Sequence, residues 1–217
     1  MVTHSDSIPE TGGILGDQAE GSGGRPLVAV VATRPETVFD DIQRAMEMAE
    51  VTQYLEADTA TLLKINISWQ HWYPGCSTSP WQLEGVIRGM RNLGYQNLIG
   101  AHNGTVVVDA REGAVNNKHT VVEAKYGLES IYLEDARWVD FAPKSKMLAL
   151  DQVYPNGFQV PEMLIGKNIV HLPTIKTHVF TTTTGAMKNA FGGLLHRKRH
   201  WTHSVIHETL TDLLAIQ

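Results

Sequence analysis

The stretch TIKTHVFTTTTGAMKNAFGGLLHRKRHWTH, Thr174 to His203, is rich in hydrogen-bond donors and cations and contains no carboxylate. The acid-free interval is wider still. Between Glu162 and Glu208 the chain holds Lys167, Lys176, Lys188, Arg197, Lys198 and Arg199 but no Asp or Glu. That formal +6 leaves −11 for the rest of a chain whose net charge is −5. Positive charge gathered in one segment of an acidic protein points to an anion site. In an extended chain Lys176 and His178 share one face. If a helix starts near Thr184, its free amides and dipole attract an anion, and Lys188 projects from the first turns toward the same place. Thr183, Thr184, Gly185 and Asn189 complete this block, and the glycines let backbone approach closely. The bland alternative is a threonine-rich surface loop with ordinary caps.

The spacing excludes several familiar chemistries. GAMKNAFGG is not the G-x-x-x-x-G-K-[ST] phosphate loop, no G-x-G-x-x-G follows the first strand, and no G-x-S-x-G nucleophile elbow is present. Six of the ten histidines lie between His171 and His207. His196, His200, His203 and His207 are spaced to line one stripe of a continuous helix, so a divalent metal held by His200 and His203 is an alternative. Ser204 reads as a helix start that would break the stripe, and the block supplies no carboxylate or thiolate to complete a ligand set. His171, alone on an apolar strand, reads as a core histidine. Cys76 has no fixed partner and reads as incidental. The surrounding Trp69, Trp72, Tyr73 and Trp81 read as cover for the sheet. Binding of nucleic acid through Arg197, Lys198, Arg199 and Trp201 is opposed by the overall charge.

These residues need elements to position them. PLVAVVA (26–32) is predicted as a buried strand, followed by a helix with Pro35 in its first turn and Val38, Ile42, Ala45, Met46 and Ala49 on one face. ATLLKINIS (60–68) is a second strand that places Lys64 and Asn66 on a common face. SPWQLEGVIRGMRNLGY is a helix with Ser79 as N-cap, Pro80 in the first turn and Gly94 as stop. YQNLIGAHNG is a third strand entering a glycine loop, the segment from Asp109 to Gly127 is helical in its second half, and SIYLE is a fourth strand. Pro155-Asn156-Gly157 predicts the turn of a hairpin. KNIVHLP is a further strand, TTGAMKNAFGGLL a helix with a threonine cap, and SVIHETLTDLLAI an amphipathic helix capped by Ser204. Alternating strands and helices imply an α/β fold, a mainly parallel sheet flanked by helices in three layers, with a small hairpin insertion. Ligands of such sheets sit beyond the carboxyl ends of the strands. Lys64 and Asn66, the Ala101-His102-Asn103-Gly104 loop and the Thr174–Lys188 block all fall there.

Residues 1–24, rich in Gly, Ser and acidic residues, read as a disordered leader rather than a secretory signal, and residues 25–217 as a single α/β domain. With 42% hydrophobic and 19% charged residues, the composition is globular. No apolar run approaches the ~20 residues that span a bilayer. One cysteine excludes an internal disulfide and any thiolate-held iron–sulfur cluster within this chain, so the default setting is cytoplasmic.

LLKINIS, STSPWQLEGVIRGMRNLGY and above all LPTIKTHVFTTTTGAMKNAFGGLL resemble the domain-of-unknown-function 362 family. The shared pattern is K-x-N, then a Thr/Ser-Pro helix, then P-x-x-K-T-H and T-G-x-x-K-N-x-x-G, then a downstream histidine, from about Leu62 onward. The resemblance implies an α/β fold. Many relatives carry a ferredoxin-like iron–sulfur module, which makes a ferredoxin-like protein an implied partner. Relatives also continue past Gln217, so a lobe incomplete at its C-terminal side is expected. A more distant likeness is to the N-terminal domain of nickel-pincer lactate racemases. The function expected is a small-molecule enzyme taking an anionic phosphate or carboxylate. Lys64, Asn66, Lys176, Thr183, Thr184, Gly185 and Asn189 would bind, and His178, Lys188 and His203 would carry the chemistry. The alternative is a non-catalytic metal-binding or redox module.

Overall fold

The computed structural model describes residues 27–144, 146–195 and 199–217. The leader 1–24 and the segment His196–Lys198 lie outside the described residues. Four parallel strands form the main sheet in the order β3-β2-β1-β6: β1 is Thr61–Ile65, β2 Leu98–His102, β3 Glu129–Tyr132 and β6 Asn168–Leu172. β1 pairs with β2 on one side and β6 on the other, and all five of its residues are buried. Side chains of a strand alternate in direction. Leu63 and Ile65 enter the core on one face, while Leu62 joins Ala101 and Leu133 in a separate cluster. Lys64, in phase with Leu62, shares that second face.

The first face is covered by α3 (Pro80–Asn92) and α5 (His119–Tyr126), with α1 (Val38–Met48) packed on α3; α2 (Val51–Tyr54) is one turn and α4 (Ala110–Asn116) leads into α5. Ser79 caps α3 by accepting from the Gln82 N–H. Gly85 and Gly89 let α1 approach, since a Cβ on Gly85 would fall 2.5 Å from Ile42 Cδ1. On the second face lie α7 (Ala186–Leu194) and α8 (Ile206–Ala215), packed on each other, and a two-stranded antiparallel sheet of β4 (Trp138–Phe141) and β5 (Phe158–Pro161). Phe158, Val160, Phe191, Leu194, Leu210 and Leu213 share that core. The result is the three-layer α/β arrangement with small antiparallel additions.

Several local expectations are corrected. Residues 27–32 form no buried strand: among them Ala29 alone makes a bridge, and Val28 and Val30 are exposed. The first helix begins at Val38 with Thr37 at its cap, not at Pro35. Both halves of 109–127 are helical, with Asp109 capping α4 through Arg111 and Glu112 N–H. The hairpin is not closed by Pro155-Asn156-Gly157. Its arms β4 and β5 are joined by a longer connection that includes the single turn α6 (Leu150–Val153), and the Pro-Asn-Gly turn lies between α6 and β5. Val205, not Ser204, precedes α8, because Arg199–Val205 is a 3-10 helix. Trp69, Trp72, Tyr73 and Trp81 do not cover the sheet but stand exposed. Along α8, Ile206, Leu210 and Leu213 are buried, whereas Leu214 is exposed.

Asp212, 2% exposed, ties the two halves of the second face together. Its Oδ1 accepts from Leu148 N at 2.7 Å, and its Oδ2 accepts from Ala149 and Leu150 N at 2.9 and 3.0 Å. One side chain thus satisfies three amides at the start of α6. Asp212→Ala is expected to destabilise the protein by about 2–4 kcal/mol, because it strands these buried donors; urea unfolding of both proteins measures it.

Candidate functional site

The strand ends place the site. Asn66 follows β1, Asn103 follows β2, and Pro173 and Thr174 follow β6. All four line a cavity of about 270 Å³ outside the carboxyl edge of the sheet. Thr78 clasps two of these exits: its Oγ1 donates to Leu172 O at 2.5 Å and accepts from Asn66 N at 2.9 Å. After Thr174 the chain makes a small hairpin, β7 (Thr177–His178) and β8 (Thr182–Thr183), before α7 begins. Thr184 ties the base of that hairpin, donating its hydroxyl to Thr174 O at 2.7 Å and its N–H to Lys176 O at 2.8 Å. Lys176, His178, Thr184, Gly185, Lys188 and Asn189 therefore come to one cavity with Asn66, and no Asp or Glu is among its lining residues.

The individual roles differ. Thr183 is exposed on β8 and is not among the lining residues. Thr184 does not cap α7: its hydroxyl is used on Thr174, and Gly185 stands at the N-cap with no side-chain cap. The first amides of α7 are thus open to another acceptor. Asn189 is buried, and its Nδ2 donates to Lys64 O at 2.8 Å, so it fastens α7 to β1. Lys176 donates to Asn66 Oδ1 at 3.0 Å. Lys188 has no hydrogen-bond acceptor among the described residues. Its Nζ lies 4.7 Å from the centre of the Phe191 ring, a cation–π contact. Burial, then Arg199 and Lys176, push the Lys188 amine down to about 8. Burial also lowers the Lys176 amine.

Lys64 lies beneath the cavity rather than in its wall. It is 2% exposed and donates to Asn103 Oδ1 at 2.5 Å and to Ile65 O at 3.0 Å. No carboxylate among the described residues is bonded to it. Burial and the Arg199 charge lower its pKa to about 7, against a smaller opposing pull from Glu134. The break in α7 makes room for it. Gly193 sits at φ 125, and a Cβ there would fall 3.0 Å from Lys64 Cε and 2.5 Å from Leu133 Cδ1, while one on Gly192 would meet the Asn103 amide at 3.0 Å. A second cavity of about 580 Å³ adjoins the first and shares Asn103, Thr105, Val107 and Val108 with it. Arg199 and Glu134 both line this larger space and hold Gly104 from opposite sides, Arg199 donating to its carbonyl at 3.1 Å and Glu134 accepting from its N–H at 2.9 Å.

His178 Nδ1 accepts from Phe180 N at 3.1 Å, which leaves the proton of the neutral ring on Nε2. Burial, then Lys188, His203 and Lys176, lower its pKa, so the ring is neutral at pH 7. His203 is not among the residues lining either cavity; it stacks on Phe180 at 4.3 Å and 15°. His200 is exposed and packs edge-on against Trp201. Among the described residues no group of three or more His, Cys, Asp or Glu could hold a metal ion. His171 is half-buried rather than a core histidine: its Nε2 pairs with Gln217 Oε1 at 2.7 Å, and its buried Nδ1 has no hydrogen-bond partner among the described residues. His102 points away from the cleft: it is fully buried, paired with Glu123 at 2.6 Å and stacked on Tyr132 and His119. Glu134 had no signal in the sequence, since an exposed Glu beside an Asp after a strand resembles any surface residue.

The Lys64 shift has a sign that can be tested. An ordinary lysine holds its proton to about pH 10.4, whereas folded Lys64 releases it near 7. Between these values the unfolded chain binds more protons, so stability rises with pH across that window and the cost of burying the charge is complete below it. Stability is expected to increase by on the order of 1–2 kcal/mol from pH 7 to pH 9 through this group, and Lys64→Met is expected to flatten that part of the curve. Chemical denaturation of both proteins at several pH values measures the difference.

No helix among the described residues is long and apolar enough to cross a membrane. No curated protein and no solved structure matches the chain, so the likeness to nickel-pincer lactate racemases finds no counterpart there. Residues 61–217, the span that contains every residue of the cleft, match the family described as "Domain of unknown function (DUF362)", and the chain belongs to that family.

Proposed function

We propose that the protein is a small-molecule enzyme whose cleft receives an anionic phosphate or carboxylate. The observation that carries this reading is a cavity lined by Lys176 and Lys188, with Arg199 close enough to depress the Lys188 amine and no carboxylate in the lining. Charges of one sign in a partly desolvated cavity leave an unmet demand for a counter-charge, and a bound anion meets it. Lys188 and the open amides of α7 would take the anionic group, with Lys176 held beside it by Asn66. Two features point beyond simple binding: the fixed Nε2–H of His178 on the cavity wall and the depressed amines of Lys188 and Lys64. His203 would act indirectly, by packing on Phe180 and so holding the chain that presents His178.

The test is thermal shift with inorganic phosphate, nucleotides and small di- and tricarboxylates, on wild type and Lys188→Ala. At least one anion is expected to stabilise the wild type. Loss of one charge-assisted contact of about 1.5–3 kcal/mol should weaken that ligand roughly tenfold or more in the variant. Equal responses of the two proteins to every anion would remove Lys188 from the site.

A further inference from the structure

Two lysines line the cleft and a third lies beneath it, and of these Lys188 has no hydrogen-bond acceptor among the described residues. Lys64 is engaged by Asn103 and Ile65, and Lys176 by Asn66 and Thr174. Lys188 is on the cavity wall, with its Nζ over the Phe191 ring. A cation anchor whose sole task is to hold an anion gains nothing from losing its proton. Lys188 nevertheless sits on a cavity wall where burial and two neighbouring cations oppose protonation, where no carboxylate is among the lining residues, and where the Phe191 ring face is the weak contact that favours the charged form. Desolvation beside a second cation is the arrangement that turns a lysine into a nucleophile.

We propose that Lys188 is a covalent nucleophile that forms an imine with the carbonyl group of an anionic oxo compound, such as a 2-oxo acid or a phosphorylated aldehyde. This rests on the anion-binding reading of the same cleft. Protonated Lys188 draws the carboxylate or phosphate into the cleft, and Lys176, on the same wall, holds it once Lys188 has given up its proton. The neutral Nζ of Lys188 attacks the carbonyl carbon. A C–N bond forms, the C–O bond breaks, and the oxygen leaves as one water carrying the two amine hydrogens, so amine plus carbonyl gives imine plus water. Phe180 N–H occupies the Nδ1 lone pair of His178, a residue of the cavity wall, and its remaining Nε2–H would hydrogen-bond the oxygen during the addition. At pH 7.5 about a quarter of an amine titrating near 8 is neutral, against about one in a thousand for an ordinary lysine.

The experiment is reductive trapping. The full chain is incubated with cyanoborohydride and, in turn, pyruvate, glyoxylate, 2-oxoglutarate or glyceraldehyde 3-phosphate, and labelling is read by intact mass and peptide mapping. A single reduced adduct at Lys188 is expected, formed at least about tenfold faster than at the exposed Lys167 and absent from Lys188→Arg, which retains a cation. Label spread over surface lysines, or unchanged in Lys188→Arg, overturns the proposal. Thermal shift with phosphate and malonate, which lack a reactive carbonyl, separates the two readings. Stabilisation by these anions without trapping sinks the imine alone. Neither stabilisation nor trapping sinks both.

Discussion

An ammonium group buried in the central strand with no carboxylate bonded to it is the constraint around which the site is arranged. Lys64 occupies a position where a strand sandwiched between two parallel neighbours would ordinarily carry an aliphatic residue. Among the described residues its nitrogen reaches neutral oxygens, on Asn103 and Ile65. Everything nearby accommodates it. Asn103 is turned toward it, α7 breaks over it at Gly192 and Gly193, and Asn189 fastens the same helix to its carbonyl. Removing a charge from water without an ionic partner is costly, and the group answers by giving up its proton readily.

That arrangement connects the sheet to the cleft. α7 performs two tasks along its length. Its start lines the cavity with Gly185 and Lys188, and its far end supplies Phe191 and Leu194 to the core shared with α8 and β5. The threonine hairpin before it is similarly double: Thr184 is spent on backbone oxygens so that Lys176 and His178 are held toward the cavity. Much of the polarity of the acid-free block therefore serves geometry, and a smaller remainder faces the space where a ligand would sit.

Much of this layout was legible in the sequence, and the failures have physical causes. The K-x-N strand, the Ser79-Pro80 helix start and the strand ending at Pro173 carry strong local signals, and the rule that ligands lie beyond strand ends brought the three polar segments together. Residues 27–32 misled because an apolar run gives strand propensity but not a pairing partner, and here Val28 and Val30 face solvent. The threonine cap misled because a hydroxyl's partner is chosen by tertiary proximity: Thr184 finds Thr174, ten residues away. Pro155-Asn156-Gly157 does make a turn, but the pairing of β4 with β5 is set by their packing in the second core. Lys64 was grouped with the binding residues because strand periodicity gives the face of a side chain and not its depth. Glu134 and the particular role of Asn103 depend on contacts across the fold that no spacing encodes.

The pairing of β1 with β6 has a consequence for how the protein comes into being. Asn168 hydrogen-bonds Thr61 across 107 positions of chain, and Thr61 to Ile65 are matched residue by residue with Asn168 to Leu172. On a ribosome, the early strand must wait for its distant neighbour, with its apolar edge unprotected in the interval. Such non-local closure is slow, and the hollow at the strand ends, which needs β1, β2 and β6 side by side, takes shape after that closure.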